Sequence, residues 1–361
     1  MQVILNNSIY FKQKYGGVSR YSSCLTNQLN KDKNINLKII APLYKNRFLF
    51  KNKNNLKIYG VYFPRYPNFK FLNFLNDNLT NFLKKKINGK IIHDFYYPNI
   101  LSSNSKKKIL TIHDTIHERF ENLYKSDYIN HRKKLIKHYD FFLCVSNNTK
   151  NDFIDFYKIS EDRVFVISHG YDHLNETEAK DLSNIKFLQK PFILYVGGRH
   201  KYKNFKLLIK AFSKSKFLMN EFNIICYGGE RLSNEEINLL NELNVNKKVY
   251  HIFGDDTYLK GLYLKANLLV STSNYEGFGL NVLEAVSLNC PVLANENIVF
   301  KEIFGNLIFY FKNNVDDLIS KLEKILREDK FFHESNALKE YLKKYTWINT
   351  AEKTKKIYEI L

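Results

Sequence analysis

Two carboxylates stand eight positions apart in the segment SNYEGFGLNVLEAVSLNCPV, residues 273–292. Glu276 precedes a glycine-bracketed phenylalanine, and Glu284 falls in the second turn of a helix predicted to begin near Gly279. The first turn of a helix carries unpaired N–H groups and a partial positive charge. Carboxylates accept hydrogen bonds in pairs, which suits vicinal hydroxyls such as those of sugars and ribose. The segment predicts either a site for a hydroxyl-rich ligand or a capped helix with solvated acids.

The segment YVGGRHKYKN, residues 195–204, places two cations after a pair of glycines. The glycines allow a sharp turn at the end of a strand. Arg199 and Lys203 then stand at the entrance of a predicted helix, where a spacing of four puts them on one face. A forked guanidinium beside an ammonium at a helix N-terminus is a good diphosphate receptor, and the alternative is a solvated basic helix start. Neither a Walker loop nor a GxGxxG fingerprint is present, which argues against ATP hydrolysis and NAD binding.

A glycine pair also follows the first predicted strand, in KYGGVSRY at residues 14–21. Gly16 and Gly17 stand at the mouth of a predicted helix, where free N–H groups can approach a phosphate or a sugar closely. Arg20 could add a further contact to an acceptor. The alternative is a tight turn that requires glycine.

The segment TIHDTIHE, residues 111–118, ends another predicted strand. His113 can donate a hydrogen bond to a sugar hydroxyl, and Asp114 can orient a neighbouring imidazole. The alternatives to this role are a structural His113 and, less in keeping with the spacing, a metal site that includes His117 and Glu118. The spacing matches no common zinc motif, and HExxH is absent, so no metal site is predicted.

Short β-rich apolar runs alternate with helical patterns along the chain, in two successive series. This alternation predicts two doubly wound, Rossmann-like α/β domains with parallel sheets. The predicted helices include 17–30, 69–88, 128–139, 203–217, 233–244, 256–266, 279–289 and 315–327. The predicted strands are 2–5, 35–42, 56–63, 90–97, 107–114, 141–146, 163–168, 192–197, 222–228, 249–254, 267–273, 291–296 and 307–311.

Each of the segments described above, whose residues could bind a ligand or take part in chemistry, follows one of these strands. In doubly wound sheets, ligands bind outside the carboxyl ends of the strands. We therefore expect the two domains to present these ends to one another across a cleft. The first domain is predicted to cover residues 1–180 and the second residues 187–345, with the polar stretch 175–186 as the linker.

Length and composition favour a globular, cytoplasmic protein. A chain of 361 residues with 44% hydrophobic content is too long for one compact core but apolar enough for two. No run of 18 apolar residues occurs, and the start of the chain lacks the pattern of a signal peptide. The four cysteines form no CxxC pair, which argues against structural zinc.

Positive charge is concentrated in the first part of the chain. The formal net charge is +20, and residues 1–112 hold 20 Lys and Arg against three Asp and Glu, an excess of 17. AT-rich coding raises the lysine content in general but does not explain this asymmetry. A basic first domain predicts an anionic partner, which could be a membrane leaflet, a phosphorylated substrate or a nucleic acid.

Residues 69–87, FKFLNFLNDNLTNFLKKKI, combine an apolar helical face with three lysines. The pattern predicts either an interfacial helix on an anionic leaflet or an ordinary helix that covers a sheet. In the first case Lys84, Lys85 and Lys86 would contact the membrane or the acceptor. The predicted apolar face consists of Phe71, Leu72, Leu75, Leu79, Phe82 and Leu83.

Taken in order, these segments resemble the family-4 retaining glycosyltransferases of the GT-B fold. EGFGLNVLE is similar to their E-x7-E motif, GGRHKYKN to their diphosphate motif and YGGVSRY to their glycine loop. HDTIHERF, VSNNTKNDF and ISHGYD follow in the family's order, and YTWINTAEKTKKIYEIL resembles its terminal helix. Each motif is weak alone, but the ordered set covers nearly the whole chain.

The resemblance implies that the second domain binds a nucleotide-diphospho-sugar and the first domain the acceptor. Arg199 and Lys203 would hold the departing diphosphate, Glu284 the ribose hydroxyls and Glu276 the donor sugar. His113 would hydrogen-bond the transferring sugar. The terminal helix, residues 346–361, would pack back on the first domain. Further donor contacts are implied for Gly16, Gly17, Gly198, Phe278, Gly279 and Leu280.

Three positions depart from the family pattern. Asn281 stands where proline is common, and His169 stands where asparagine is more usual. Asn289 replaces a common glycine near the expected nucleotide pocket, so the base of the donor is left open.

The resemblance implies a metal-independent, retaining hexosyltransferase with no cofactor. The co-substrate would be GDP-mannose or a UDP-hexose, and the acceptor a lipid-linked, lipopolysaccharide or capsule-type glycan. We expect a cytoplasmic protein held peripherally on the inner membrane face, with an anionic membrane surface as partner and no nucleic acid. The alternatives are a GT-B-fold nucleotide-sugar epimerase and a basic nucleic-acid-binding protein.

Overall fold

The computed structural model describes residues 1–6, 8–65, 70–98, 106–124, 126–199, 201–328 and 336–361. The chain divides into two compact units. Unit 1 comprises Met1–Gly170 together with Tyr345–Leu361, and unit 2 comprises Tyr171–Lys344. The sequence predicts a boundary between residues 180 and 187, whereas the two units divide after Gly170.

Unit 1 is built on one parallel sheet. Its strands are β1 (Gln2–Asn6), β2 (Asn36–Tyr44), β3 (Ile58–Tyr62), β4 (Ile91–Asp94), β5 (Lys107–Ile112), β6 (Phe141–Cys144) and β7 (Val164–Val166). Its helices before the division are α1 (Ile9–Lys12), α2 (Gly17–Lys31), α3 (Arg47–Lys51), α4 (Lys70–Lys86), α5 (Ile116–Arg119), α6 (Ser126–Ile136) and α7 (Asn147–Tyr157). Among the described residues the strand order is β3-β2-β1-β4-β5-β6-β7. The central strands are apolar and buried, as in a sheet covered on both faces.

Unit 2 repeats this architecture. Its strands are β8 (Phe192–Val196), β9 (Asn223–Tyr227), β10 (Val249–Ile252), β11 (Leu268–Ser271), β12 (Val292–Asn295) and β13 (Phe309–Phe311). Its helices are α8 (Phe205–Lys214), α9 (Lys216–Glu221), α10 (Asn234–Glu242), α11 (Asp256–Lys265), α12 (Leu280–Ser287), α13 (Ile298–Phe304), α14 (Val315–Arg327) and α15 (Asn336–Leu342). Its described strands are parallel in the order β10-β9-β8-β11-β12-β13.

These topologies confirm the predicted fold class. Each predicted strand is present, and in both sheets the strand order reverses beside the first strand. The reversal lies between β1 and β4 in unit 1 and between β8 and β11 in unit 2. Such a switch point opens a crevice at the carboxyl ends of the strands, which is where doubly wound sheets bind ligands.

The terminal helix α16 (Trp347–Ile360) returns to unit 1 and packs along α2, as predicted. Trp347 is fully buried. The Tyr358 hydroxyl lies 2.6 Å from Nδ1 of His93 on β4. The Thr350 hydroxyl donates to the carbonyl oxygen of Ser168 over 2.8 Å. Apolar packing and buried hydrogen bonds therefore both fix this helix to the sheet.

The predicted linker, residues 175–186, is not a free connection. The backbone N–H of Lys180 donates to the carbonyl oxygen of Thr257, and Leu182 is buried beside Gly261. Lys260 on α11 donates to the carbonyl oxygen of Leu174 over 2.9 Å. The polar composition suggested a linker, but its few apolar groups hold this stretch against α11 in unit 2.

The orientation of α4 corrects the prediction for Lys84. Its Nζ lies 2.8 Å from Oδ1 of Asp94, and both side chains are buried. The Tyr139 hydroxyl donates to the other oxygen of Asp94 over 2.8 Å, and Asn6 donates to Asp94 as well. Lys84 is therefore an internal counter-ion and cannot meet a membrane surface. A buried charge is retained only when paired in this way.

The same orientation changes which apolar residues of α4 are exposed. Leu83 packs on the core beside Ile4 and Ile40, and Asn76 accepts a hydrogen bond from the backbone N–H of Leu43 on β2. The predicted face is therefore divided between the core and the surface, and Phe74 joins its exposed part. We call the exposed part the outer face of α4, which consists of Phe71 (67% exposed), Phe74 (62%), Leu79 (46%) and Phe82 (56%).

Candidate active site

The loop after β8 carries the two predicted diphosphate-binding cations. Gly197 has a φ of 118°, a conformation that favours glycine, so the chain can turn sharply there. A short 3-10 turn, Lys201–Lys203, then leads to α8, which begins only at Phe205. Arg199 therefore lies in the loop, and the prediction that it shares a helical face with Lys203 is wrong.

Lys203 forms an ion pair with Glu276, its Nζ lying 2.6 Å from Oε1. The carbonyl oxygen of Lys203 accepts a hydrogen bond of 2.7 Å from Thr272, the residue after β11. The Tyr195 hydroxyl on β8 lies 3.0 Å from the carbonyl oxygen of Gly198 and 3.4 Å from that of Lys203. These bonds fasten the ion pair to the ends of two adjacent strands. The pair therefore lies at the switch point of unit 2.

Helix α12 begins at Leu280, as predicted, and Gly279 is its N-cap. Gly279 has a φ of 96°, and an added Cβ would lie 2.6 Å from the ring of Phe300. Both facts require glycine. Gly279 offers no side-chain cap to the first turn, and Phe278 before it is buried. The proposed donor contacts of the backbone N–H groups at 278–280 stay a prediction.

Glu284 is buried on the second turn of α12, and a polar side chain lies close to each of its carboxylate oxygens. The Tyr263 hydroxyl on α11 donates to Oε2 over 2.8 Å. Nε2 of His173 lies 3.0 Å from Oε1, at ion-pair distance. Burial and the nearby Glu284 carboxylate raise the pKa of Tyr263 well above its usual value, so its hydroxyl stays a donor.

Arg199 is buried, and its guanidinium is directed to acceptors within unit 2. Nε lies 2.9 Å from Oε1 of Glu236, and Nη1 lies 3.4 Å from the carbonyl oxygen of Gly228. Nη2 donates to the carbonyl oxygen of Glu230. Direct binding of a diphosphate would require some of these contacts to break. The phosphate-binding role of Arg199 stays a prediction, and Lys203 is the more accessible cation.

The structure explains both asparagines that depart from the family pattern around α12. Asn281 donates from Nδ2 to the carbonyl oxygen of Val196 over 3.1 Å, which ties the start of α12 to the end of β8. Asn289 adopts a φ of 56° just after the helix ends. Asparagine and glycine are the residues that most readily take this conformation at a helix C-terminus. The exchange at position 289 thus has a backbone reason.

Gly16 and Gly17 lie at the N-terminus of α2, after β1. Neither has a φ in the left-handed region, so the tight-turn alternative does not account for them. A Cβ on Gly16 would lie 2.4 Å from Oε1 of Gln13, whereas one on Gly17 would meet nothing within 4 Å. The space beside Gly17 is therefore open at the N-terminus of α2, which follows β1 at the switch point of unit 1.

His113 follows β5 in unit 1, and the structure determines which of its ring nitrogens can meet a ligand. Nε2 lies 2.9 Å from the carbonyl oxygen of Phe95, which can only accept, so Nε2 carries the proton. Nδ1 is buried without a partner among the described residues. Burial lowers the pKa of His113 to about 4, so the ring is neutral near pH 7. Nδ1 is thus an acceptor, and the predicted donor role at the sugar is wrong in direction.

Arg20 is not an exposed cation. It is largely buried, and its guanidinium carbon lies 3.9 Å from the ring centroid of Phe48. Such cation–π packing withdraws the charge from the surface. Of the predicted membrane-contacting cations, Lys85 and Lys86 are the exposed ones.

Comparison with known families agrees with this geometry. Residues 15–173 match the model of Glycosyltransferase Family 4, and residues 176–345 match that of Glycosyl transferases group 1. The two matches together span both units. The chain belongs to the family-4 GT-B glycosyltransferases.

Two curated relatives of this glycosyltransferase have informative names. The O-antigen chain mannosyltransferase B of Escherichia coli is 23% identical over 282 residues, or 74% of this chain and 73% of the relative. The N-acetylgalactosamine-N,N′-diacetylbacillosaminyl-diphospho-undecaprenol 4-alpha-N-acetylgalactosaminyltransferase of Campylobacter jejuni is 28% identical over 195 residues. That match covers 53% of this chain and 52% of the relative.

Among solved structures, the glycosyltransferase resembles Anabaena HepE in complex with UDP-glucose. The TM-score is 0.76, and the match covers 99% of this chain and 100% of that chain at 15% identity. At this identity the likeness shows the fold, and it confirms the predicted GT-B architecture.

Several residues that contact the predicted site residues were missed by sequence reasoning. Tyr263, His173 and Glu236 each contact a predicted site residue. His173 stands directly after the ISHGYD segment, which was the one available signal. Tyr263 and Glu236 lie on amphipathic helices and carry no local motif, so only the tertiary structure reveals them.

No group of three or more His, Cys, Asp or Glu side chains in the described ranges is arranged to hold a metal ion. In the same part of the chain, no helix has the length and apolar character needed to span a bilayer. Metal independence of the reaction stays a prediction.

Proposed function

We propose that this enzyme transfers a hexose from a nucleotide-diphospho-sugar to a hydroxyl group of a growing glycan, with retention of anomeric configuration. Unit 2 binds the donor in this proposal. GDP-mannose and UDP-hexoses are the candidate donors, and the similarity to an O-antigen mannosyltransferase supports mannose.

One arrangement carries the proposal, the grouping of a cation, two carboxylates and a helix N-terminus at the switch point of unit 2. Lys203 and Glu276 lie at the ends of adjacent strands, and α12 connects Glu276 to the buried Glu284. A nucleotide-sugar offers the complementary groups, because it carries a diphosphate between two rings rich in hydroxyls. Lys203 would bind the diphosphate, Glu284 the ribose and Glu276 the sugar.

The charges that develop during transfer fit this assignment. As the bond from the sugar to the diphosphate breaks, the sugar becomes cationic and the diphosphate gains negative charge. The ammonium of Lys203 can move from Glu276 to the diphosphate and stabilise that charge, together with the N–H groups at the start of α12. Glu276 is then available to accept hydrogen bonds from the sugar. These groups supply the positive charge locally, so we propose transfer without a metal ion.

Unit 1 contributes the acceptor functions in this proposal. Nδ1 of His113 would accept a hydrogen bond from a substrate hydroxyl, because it is the buried, unpartnered nitrogen of that ring. We propose a lipid-linked, lipopolysaccharide or capsule-type glycan as the acceptor. A relative named for a diphospho-undecaprenol acceptor supports the lipid-linked class.

We further propose that the enzyme works at the cytoplasmic face of a membrane, held there by α4. Three exposed phenylalanines on the outer face of α4 exceed the isolated apolar groups normal on a soluble surface. Lys85 and Lys86 are exposed at the end of the same helix, and Lys86 lies 5.9 Å from the ring centroid of Phe82. Aromatic groups beside cations suit an anionic lipid surface.

A donor screen tests the proposal. Thermal unfolding would be recorded with GDP-mannose, UDP-glucose, UDP-galactose and UDP-N-acetylglucosamine. A true donor at 100 times its Kd stabilises the protein by about 2.7 kcal/mol. Glu284→Ala should abolish this stabilisation, and Glu242→Ala, an exposed acid on α10, should keep it. If no nucleotide-sugar stabilises the enzyme, the proposal fails, and conversion of a donor to an isomer without transfer would establish an epimerase instead.

A further inference from the structure

The carboxylate of Glu284 is held from two sides by groups on different elements. Tyr263 on α11 donates to Oε2 over 2.8 Å, and His173 in the 3-10 turn Asp172–Leu174 lies 3.0 Å from Oε1. All three side chains are buried. A carboxylate has about four lone-pair positions, two on each oxygen. Tyr263 therefore uses one position on Oε2, whereas His173 lies against Oε1 in a contact that lacks the angles of a hydrogen bond, so each oxygen keeps at least one acceptor position.

Helix α11 organises both partners. It carries Tyr263, and three residues earlier it carries Lys260. Nζ of Lys260 donates to the carbonyl oxygen of Leu174, the residue after His173, over 2.9 Å. The same helix therefore supplies one contact to Glu284 and anchors the turn that supplies the other.

We infer that Tyr263 and His173 are positioning residues that orient Glu284 to accept two hydrogen bonds from a cis-diol, and so make the site selective for ribonucleotides over 2′-deoxyribonucleotides. The inference rests on the proposed role of Glu284 at the donor ribose. With Oε2 bonded to Tyr263 and Oε1 packed against His173, the carboxylate keeps a fixed plane, and one acceptor position on each oxygen matches two adjacent hydroxyls. A carboxylate free to rotate would satisfy a single hydroxyl nearly as well and would discriminate less.

The test compares nucleotides that differ only at the 2′ position. Calorimetry would measure the Kd of UDP against 2′-deoxy-UDP and of GDP against 2′-deoxy-GDP, using whichever base the wild-type enzyme binds. A hydrogen bond to a charged acceptor changes affinity by roughly ten- to hundredfold. The wild-type enzyme should therefore prefer the ribonucleotide by roughly tenfold or more.

Tyr263→Phe removes the hydroxyl that lies 2.8 Å from Oε2 of Glu284 and 3.1 Å from the carbonyl oxygen of Asn281. We expect the affinity for the ribonucleotide to fall toward that for the deoxyribonucleotide, whose own affinity stays nearly unchanged. Tyr310→Phe is the matched control, because its hydroxyl donates to the carbonyl oxygen of Phe300 and not to the site. This control should keep the full preference.

A second pair of variants addresses the other oxygen. His173→Leu should reduce the preference, and His173→Gln, which retains an amide donor, should restore part of it. Lys260→Met should act in the same direction as His173→Leu without altering any group that touches Glu284. Because Lys260 is only partly buried, Lys260→Met should fold even if the variants of Tyr263 and His173 do not, and it then tests the inference by itself.

The outcomes distinguish a failure of the inference from a failure of the proposed function on which it rests. If Tyr263→Phe weakens both nucleotides by the same factor, its hydroxyl is merely structural and the inference is overturned. A preference that persists in both Tyr263→Phe and His173→Leu overturns the inference too, while it leaves nucleotide-sugar binding intact. If the wild-type enzyme binds none of the four nucleotides, the proposed function itself fails, and the inference fails with it.

Discussion

The ion pair of Lys203 and Glu276 joins a proposed functional role to a structural one. The side chains are largely buried, with 22% of Lys203 and 11% of Glu276 exposed. Removing one partner of a buried pair leaves the other charge without compensation, so the pair also supports the stability of unit 2. Its position between β8 and β11 is what gives it significance, because an arriving diphosphate can compete with Glu276 for the ammonium.

Lys203→Ala should weaken nucleotide binding and also lower the melting temperature, because the buried Glu276 loses its cation. We expect the affinity for UDP or GDP to fall by roughly tenfold or more, the effect of losing a charge-assisted hydrogen bond. Calorimetry and thermal unfolding measure the two quantities. Lys201→Ala, an exposed lysine two positions earlier, is the control. Equal losses of affinity in both variants would indicate a general effect of charge.

Two buried histidines make the stability of unit 1 depend on pH. Burial lowers the pKa of His93 to about 3 and that of His113 to about 4. As the pH falls below about 6.5, the unfolded chain takes up protons at both residues while the folded unit does not. The free energy of unfolding should therefore fall between pH 6.5 and 4, by up to about 1.4 kcal/mol per histidine for each pH unit.

The single tryptophan, Trp347, is buried in unit 1 and reports its unfolding by fluorescence in urea. His93→Gln should reduce the slope of stability against pH in this window, because one of the two titrating groups is gone. A slope unchanged by that substitution would mean that carboxylates, rather than histidines, govern the acid sensitivity.

For single residues, the sequence predicted position in the chain's elements better than it predicted protonation or burial. Glu276 lies in the loop after β11 and Glu284 on the second turn of α12, as their motif predicts, because the topology fixes the end of β11. The protonated nitrogen of His113 depends on the carbonyl oxygen of Phe95, a residue 18 positions away. Lys84 looked like its exposed neighbours until its partner Asp94 was visible. Such long-range partners have no local sequence signal.

At the level of elements, the docking of α16 depends on a close approach at Gly170. A Cβ there would lie 2.3 Å from the backbone nitrogen of Trp347 and 2.8 Å from its ring. The contacting atoms are mostly backbone, so they cannot move aside cheaply. The ring of Trp347 also lies 5.9 Å from that of Tyr21 on α2, between centroids. Gly170, the start of α16 and helix α2 therefore meet at this junction in unit 1.

Gly170→Ala should displace the start of α16 and destabilise unit 1 by about 1–3 kcal/mol, as overpacking does. The urea midpoint followed by Trp347 fluorescence measures the effect. Gly17→Ala is the matched control, because a Cβ at Gly17 meets nothing within 4 Å and its backbone is helical. Its stability should be equal or slightly higher. If both variants unfold at the same urea concentration, the junction is more adaptable than these distances imply.

Elements were predictable where their pattern was regular. The apolar runs of a buried parallel sheet and the amphipathic period of α14 give their positions to within a few residues. The loop after β8 was less predictable, because its left-handed residues and 3-10 turn delay α8 to Phe205. The stretch 175–186 was misread as a linker, since two buried contacts outweigh a polar composition.

For the whole molecule, charge and exposed aromatic groups should act together on a lipid surface. Replacing Phe71, Phe74 and Phe82 by serine should abolish most binding to vesicles of phosphatidylglycerol and phosphatidylcholine, measured by co-sedimentation. Each buried aromatic side chain contributes on the order of 1.5–3 kcal/mol. The matched control replaces three similarly exposed residues of unit 2 by serine, namely Phe253, Leu264 and Ile298.

Salt concentration distinguishes the contribution of the lysines to vesicle binding from that of the aromatic side chains. Neutralising Lys85 and Lys86 should weaken vesicle binding at low ionic strength, by about 1 kcal/mol for each lysine, and have less effect above 0.15 M. The serine replacements on α4 should weaken binding at every salt concentration. Vesicle binding that both sets of variants leave intact would exclude α4 as the membrane contact, and donor affinity should be unaffected in all of them.

Unit 1 is assembled from two stretches of chain that the whole of unit 2 separates. During synthesis, the ribosome must deliver residues 171–344 before α16 is made. Until then, the surface that receives Trp347, lined by Tyr21 and His169, is open to other apolar segments. Nascent chains of this enzyme are therefore expected to need chaperone protection late in translation, and ribosome stalling near residue 340 should produce an aggregation-prone species.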